Sequence, residues 1–151
     1  MNIGEKLQDW TLLPISENQE VPNVNDFQEK PLLILFFYMG CPGCKGRAIP
    51  FANRIVYEDV GVAVVGIHTR FEGRVYSDDE LEKAKEEFHI RFPVYRDQPE
   101  ATTFKAYQAG GTPHWILIDV NGVVLQSIFG SDPNNALLRL DLKIKELTKT
   151  I

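Results

Sequence analysis

Residues 32–38 (Leu, Leu, Ile, Leu, Phe, Phe, Tyr) are apolar without a break, and 62–67 repeat the pattern with Val, Ala, Val, Val, Gly and Ile. Runs of this length without alternation predict strands buried on both faces. Between them, from 44 to about 57, Ala48, Ile49, Ala52, Ile55 and Val56 recur on one side, which predicts a helix. Pro50 falls inside that helix and is expected to kink it. Strand, helix and strand in one stretch make a βαβ unit with a right-handed crossover.

The flanking pattern is less regular. Trp10, Thr11, Leu12 and Leu13 predict a short edge strand, followed by a polar loop to about residue 30 that Pro14 and Pro22 punctuate. Beyond the βαβ unit, Ser77, Asp78, Asp79 and Glu80 spell a capping box. The helix behind it carries Leu81, Ala84 and Phe88 on one face and charges on the other. Residues 92–95 predict a short strand. Pro99 suits a first helical turn, and that helix is expected to run to about Gln108, where Gly110 and Gly111 stop it. Residues 114–120 and 123–128 flank Asn121-Gly122 and predict a β-hairpin with a type I′ turn. Asp132-Pro133 opens a last helix, whose stripe of Leu137, Leu140, Ile144, Leu147 and Ile151 reads as core packing. The order alternates strands with helices, so the predicted class is α/β.

Length and charge narrow the picture. A chain of 151 residues suits a single domain (1–151), long enough to bury a core without disulfide staples. Lys plus Arg number 16 against 21 Asp plus Glu, with no basic stripe, so nucleic acid is not an expected partner. No apolar run is long enough to span a bilayer. The first ten residues lack a basic segment followed by an apolar one, so the chain as written is expected in the cytoplasm. A leader removed ahead of this Met would place it outside.

Candidate chemistry centres on the two cysteines of the sequence, Cys41 and Cys44, separated by Pro42 and Gly43. They follow the first buried strand and open the helix, where unpaired N–H groups and the macrodipole favour a thiolate. Lys45 and Arg47 add positive charge nearby, or else are solvated helix residues. A structural zinc site would need further ligands, whereas His68, His89 and His114 are scattered. Reversible dithiol–disulfide chemistry is the natural reading. No cofactor beyond the pair is expected, and no metal.

With Cys41-Pro42-Gly43-Cys44 after the first buried strand and Gly111-Thr112-Pro113 after a later helix, the chain resembles the thioredoxin-like fold. More narrowly it resembles the TlpA/ResA and AhpC/TSA-type branch. The resemblance implies a central mixed β-sheet flanked by helices, with a helix and strand inserted after the βαβ unit. It implies a thiol–disulfide oxidoreductase in which Cys41 attacks and Cys44 resolves the mixed disulfide. Pro113 would be a cis-proline facing the cysteines, and Thr112 would pair with an extended substrate segment. Pro42 and Gly43 join them at the substrate surface. Expected partners are disulfide-bearing proteins or small thiols, and an electron donor that the sequence does not identify. The expected state is a monomer.

The chain also departs from the pattern. Thioredoxins carry an acid six residues before the nucleophile, where Leu35 stands. ResA-like proteins carry a glutamate six residues after it, where Arg47 stands. Gly40 replaces the usual tryptophan, and the helix proline, Pro50, comes one residue late. A peroxiredoxin would need Pro and Thr or Ser ahead of its cysteine. Counting back finds Ile34 and Tyr38 from Cys41, or Phe37 and Cys41 from Cys44. A copper-binding protein of the Sco type would use both cysteines and a distant histidine such as His114. That residue otherwise reads as partly exposed at a strand start. His68, ending a buried strand, reads as hydrogen-bonded or on the site's rim, and His89 as belonging to a helix end. Trp10, Trp115 and the Phe36-Phe37-Tyr38 cluster read as core, and residues 70–76 as a loop contributing to substrate recognition.

Overall fold

The structure, a computed structural model, describes residues 2–149. Ten regular elements position the site: β1 (Leu12–Leu13), β2 (Leu32–Phe37), α1 (Ile49–Glu58), β3 (Ala63–His68), α2 (Asp78–Glu87), β4 (Val94–Asp97), α3 (Thr102–Ala106), β5 (His114–Ile118), β6 (Val124–Phe129) and α4 (Ala136–Thr148). The strands form one mixed sheet in the order β1-β4-β3-β2-β5-β6. β2, β3 and β4 run parallel, and β5 is antiparallel to β2. This is the expected thioredoxin-like arrangement, with α2 and β4 as the insertion after the βαβ unit.

The unbroken apolar run of β2 has its cause in two cores. Leu33, Leu35 and Phe37 face α1, α2 and α4, together with Cys44, Ile55, Leu81 and Leu140. Leu32, Ile34 and Phe36 face α3 and the N-terminal segment, together with Trp10, Phe104 and Tyr107. Every β2 side chain is buried. Each such Leu, Ile or Phe contributes roughly 1.5–3 kcal/mol of burial free energy. Trp10, Trp115, Phe36 and Phe37 are core residues as expected, while Tyr38 is half-buried at the strand end. In α4, Leu137, Leu140 and Ile144 are buried and Leu147 packs against them; Ile151 lies outside the described residues.

The capping box at Ser77 is present in both directions: its hydroxyl accepts from Glu80 N–H and Glu80 Oε1 from Ser77 N–H. Other local expectations are corrected. The 92–95 strand is shifted to Val94–Asp97, and the polar loop contains a 3-10 turn at Val24–Phe27. The hairpin turn is not type I′, because only Gly122 of the Asn121-Gly122 pair has positive φ (79°). Asp119 closes it instead. Its carboxylate accepts from Asn121 and Val123 N–H and its carbonyl from Gly122 N–H, a type I turn with glycine in the left-handed position. The last helix begins at Ala136, after a turn in which Asp132 accepts from Asn134 and Asn135.

The largest correction is α3, expected from Pro99 but beginning at Thr102. Its start is set by Asp97, a carboxylate only 3% exposed. One oxygen accepts from Gln98 and Thr103 N–H, the other from Phe104 N–H and the Thr69 hydroxyl. Removing this acceptor strands several buried donors at once. Asp97→Ala is therefore expected to lower the unfolding free energy by about 3 kcal/mol or more. Urea denaturation checks this; an unchanged midpoint would show that the carboxylate does not anchor α3.

Candidate active site

At the end of β2 the chain turns through Tyr38, Met39 and Gly40, and Cys41 N–H closes that turn on Tyr38 O at 3.0 Å. The helical segment then begins, and both cysteines are free thiols. Cys41 is half-buried and Cys44 fully buried in the core. The Cys44 N–H donates to Cys41 Sγ at 3.3 Å, and the Cys41 thiol donates to Thr112 O at 3.4 Å. Burial, reinforced by the neighbouring Cys41 sulfur, pushes the Cys44 thiol far above its ordinary value. The inner thiol is thus held protonated, behind the outer one.

Pro50 does not act as a simple kink. Cys44–Ala48 form a π-helical turn, in which Ile49 N–H reaches back five residues to Cys44 O, and α1 follows with Pro50 in its first turn. The helical backbone is continuous from Pro42 into α1, so Pro50 does lack an N–H that the preceding turn could bond, and the wider π-helical turn directly before it accommodates the ring. The extra residue is absorbed as a bulge beside the cysteines, a place where such turns are common.

The Thr112–Pro113 loop meets this segment from the other side. The peptide is cis, as the resemblance implied. Thr112 is half-buried and Pro113 buried. Gly130 N–H donates to Pro113 O at 2.8 Å, and the Trp115 indole N–H to Gly130 O at 2.9 Å. These bonds fasten the loop to the end of β6. A Cβ on Gly43 would sit 2.9 Å from Ser131 Oγ and 3.8 Å from Pro113 Cδ, so Gly43 permits the close approach. Pro42 is exposed at the rim. The structure thus brings Cys41, Cys44, Gly43, Thr112 and Pro113 together, and adds Ser131, for which the sequence offered no signal.

His68 and Met39 complete the wall. His68 is 2% exposed, and its Nε2 accepts from Met39 N–H at 3.1 Å. Burial, with the Arg96 charge, pushes its pKa down to about 3. Neutral His68 therefore props the turn that leads to Cys41. Beside it, a groove of about 290 Å³ is lined by Met39, Lys45, Arg74, Tyr76, Glu80 and Phe88. Arg74 stacks over the Tyr76 ring at 3.8 Å and pairs with Glu80 at 2.6 Å. Part of the 70–76 loop thus borders the groove, and Lys45 lines it too, whereas Arg47 is exposed.

Other expected participants lie elsewhere. His114 is 5% exposed rather than partly exposed. It alternates with Trp115, whose ring packs on the cysteine-side core, and so faces the opposite side of the sheet with Ile116. Its Nδ1 accepts from Gly110 N–H and its Nε2 bonds Ser127 Oγ. It cannot join the cysteines around a copper ion. No cluster of three or more His, Cys, Asp or Glu among the described residues is placed to hold a metal. His89 is exposed just past α2. Leu35 is buried beside Trp115, and no carboxylate among the described residues is hydrogen-bonded to either sulfur.

A buried and a half-buried thiol at a helix start, set against a Thr–Pro loop on this sheet, define a thioredoxin-like oxidoreductase. The Redoxin family model matches residues 2–142, and the chain belongs to that family. It is 27% identical over 131 residues to the thiol-disulfide oxidoreductase ResA of Geobacillus kaustophilus, covering 85% of this chain and 70% of that one. A thiol-disulfide isomerase from Corynebacterium glutamicum superposes with a TM-score of 0.79 at 30% identity over 98% of each chain. A thiol:disulfide interchange protein from Bacteroides shares the fold, with a TM-score of 0.74 at 21% identity over 99% of this chain and 92% of that one. No described helix is long and apolar enough to cross a membrane.

The two buried histidines set a pH dependence of stability. Burial lowers the His114 pKa to about 4 and that of His68 to about 3, against 6.5 for a free ring. Between those limits the unfolded chain binds more protons than the folded one. Their stabilising share is complete above about pH 6.5 and is lost as pH falls toward 3–4. His68→Gln is expected to flatten the dependence between pH 6 and 5 by about 1 kcal/mol per pH unit. Denaturation at those pH values measures it, and an equal slope in both proteins would contradict the neutral-ring assignment.

Proposed function

We propose that Cys41 and Cys44 cycle between dithiol and disulfide while exchanging with disulfides of proteins or small thiols, and that residues 1–151 act as one domain. The single observation that carries this is the unequal burial of two adjacent thiols, with the inner amide donating to the outer sulfur. Cys41, as thiolate, attacks one sulfur of the substrate disulfide. A Cys41–substrate bond forms, the substrate S–S bond breaks, and one substrate thiolate leaves. Cys44 then loses its proton and attacks Cys41 Sγ, forming the Cys41–Cys44 disulfide and releasing the second substrate thiolate. Two electrons pass to the substrate, and the protein's two thiol protons end on the two released thiols.

The thiolate freed in the first step is a base that the reaction itself supplies for Cys44. Thr112 O, which accepts from the resting Cys41 thiol, becomes available to an extended substrate segment once that proton is gone. Pro42, Gly43 and Pro113 form the surface against which the segment lies. The groove beside Met39 and Lys45 extends that surface on one side. An external dithiol restores the reduced pair by the reverse sequence.

Cys41→Ser is expected to abolish turbidimetric insulin reduction, and Cys44→Ser to accumulate mixed disulfides that non-reducing electrophoresis resolves. Full activity in Cys41→Ser would overturn the assignment. Equilibration against graded thiol buffers gives the direction of use. A two-electron transition near or below about −250 mV marks a reductant, and one near about −180 to −120 mV an oxidant or isomerase.

A further inference from the structure

A second cleft, of about 330 Å³, opens where the C-terminal ends of the parallel strands β3 and β4 meet the start of α2. His68, Arg70, Tyr76, Asp78, Arg96 and Pro99 line it. The thiol chemistry leaves it unused.

Its polar groups are unequally committed. Asp97 has both oxygens occupied by four donors, and Asp78 is paired with Arg96 at 3.0 Å. Arg70 gives its Nε–H to Gly73 O at 2.7 Å and forms no ion pair among the described residues, so its charge stays unneutralised. His68 is the telling residue. Because Nε2 accepts from Met39 N–H, the neutral ring carries its proton on Nδ1, and that N–H has no acceptor among the described residues. The ring is 98% buried, and the cleft is the space that it lines. Among the described residues the buried side-chain atom left without a partner is Gln126 Oε1, so His68 Nδ1–H is not sealed in the core but opens on the cleft, where an occupant can meet it.

One free donor at the floor and one uncommitted cation at the mouth suit a single negative charge rather than two. Val75, Tyr76 and Pro99 supply an apolar wall for what is attached to it. We propose that this cleft binds a carboxylate carried on a short apolar body, with His68 Nδ1–H and the Arg70 guanidinium as its donors. Because the opposite nitrogen of the same ring holds Met39 N–H, occupancy is felt two residues from Cys41. The site stands apart from the exchange reaction and does not require it.

The carboxylate has two sources, a free small acid or the C-terminus of a peptide. The test titrates the reduced, ¹⁵N-labelled full chain with hexanoate, with an acetylated tetrapeptide ending in a free leucine carboxylate, and with the same peptide amidated. Saturable shifts at the His68 ring and the Met39 amide are expected with one or both acids. Hexanoate alone identifies a small acid, and the free peptide alone identifies a chain terminus. Arg70→Gln is expected to weaken binding at least fivefold, and Arg91→Gln, outside the cleft, to leave it unchanged. No saturable shift with either acid, equal binding of the amide, or full affinity in Arg70→Gln would each overturn the proposal. No turnover is measured, so the result is independent of whether Cys41 attacks disulfides.

Discussion

Everything in this molecule is referred to β2, a strand with no exposed side chain and a partner on each edge. Its parallel register with β3 sets Phe37 opposite His68, and its antiparallel register with β5 sets Leu35 opposite Trp115. In a strand buried on both sides, a slip of one residue would exchange the two cores completely. That penalty fixes where the chain leaves the sheet and therefore where Cys41 stands. The imidazole that props the turn before Cys41 comes from β3, and the indole that fastens the loop behind Pro113 comes from β5. The site is thus a consequence of register before it is a consequence of any local motif.

The helix that carries the cysteines meets a different demand. Cys44 must point into the core beneath Cys41, while Ile49, Ala52 and Ile55 must keep their apolar stripe on the same sheet face. One residue too many separates the two requirements. The π-helical turn at Cys44–Ala48 takes up that residue directly before Pro50 and so accommodates a proline within a continuous helix. The proline standing one position late was therefore a legible sign of this bulge, although by itself it suggested only a kink.

What the sequence disclosed divides along physical lines. β2, β3, the capping box at Ser77 and the stripe of α4 were legible because burial pattern and local hydrogen bonding act within a few residues of the chain. So was the approach of the Thr112–Pro113 loop to Cys41, through spacing and resemblance. The start of α3 was not, because it is set by Asp97, one acid among many until β4 buries it. Nor was the type of the hairpin turn, because Asp119, outside the Asn-Gly pair, supplies its acceptors. For His114 the sequence does hold a signal, since alternation with Trp115 assigns it to the face away from the cysteines. The cleft beside His68 had none, since residues 68, 76 and 96 meet only when β3, β4 and α2 are assembled.

The departures from the family pattern have one common effect. With Leu35 where an acid would stand and Arg47 turned to solvent, no carboxylate among the described residues is hydrogen-bonded to the inner thiol, and the upward shift of Cys44 rests first on burial. His68, close by, is likewise held neutral by burial first. A charge created there has little to stabilise it, so ionising Cys44 is costly until a stronger base arrives at the site. In the proposed exchange that base appears only after Cys41 has opened the substrate disulfide. On that proposal the apolar surround sets the order of the two steps: the outer sulfur would react first because the inner one is held protonated by burial.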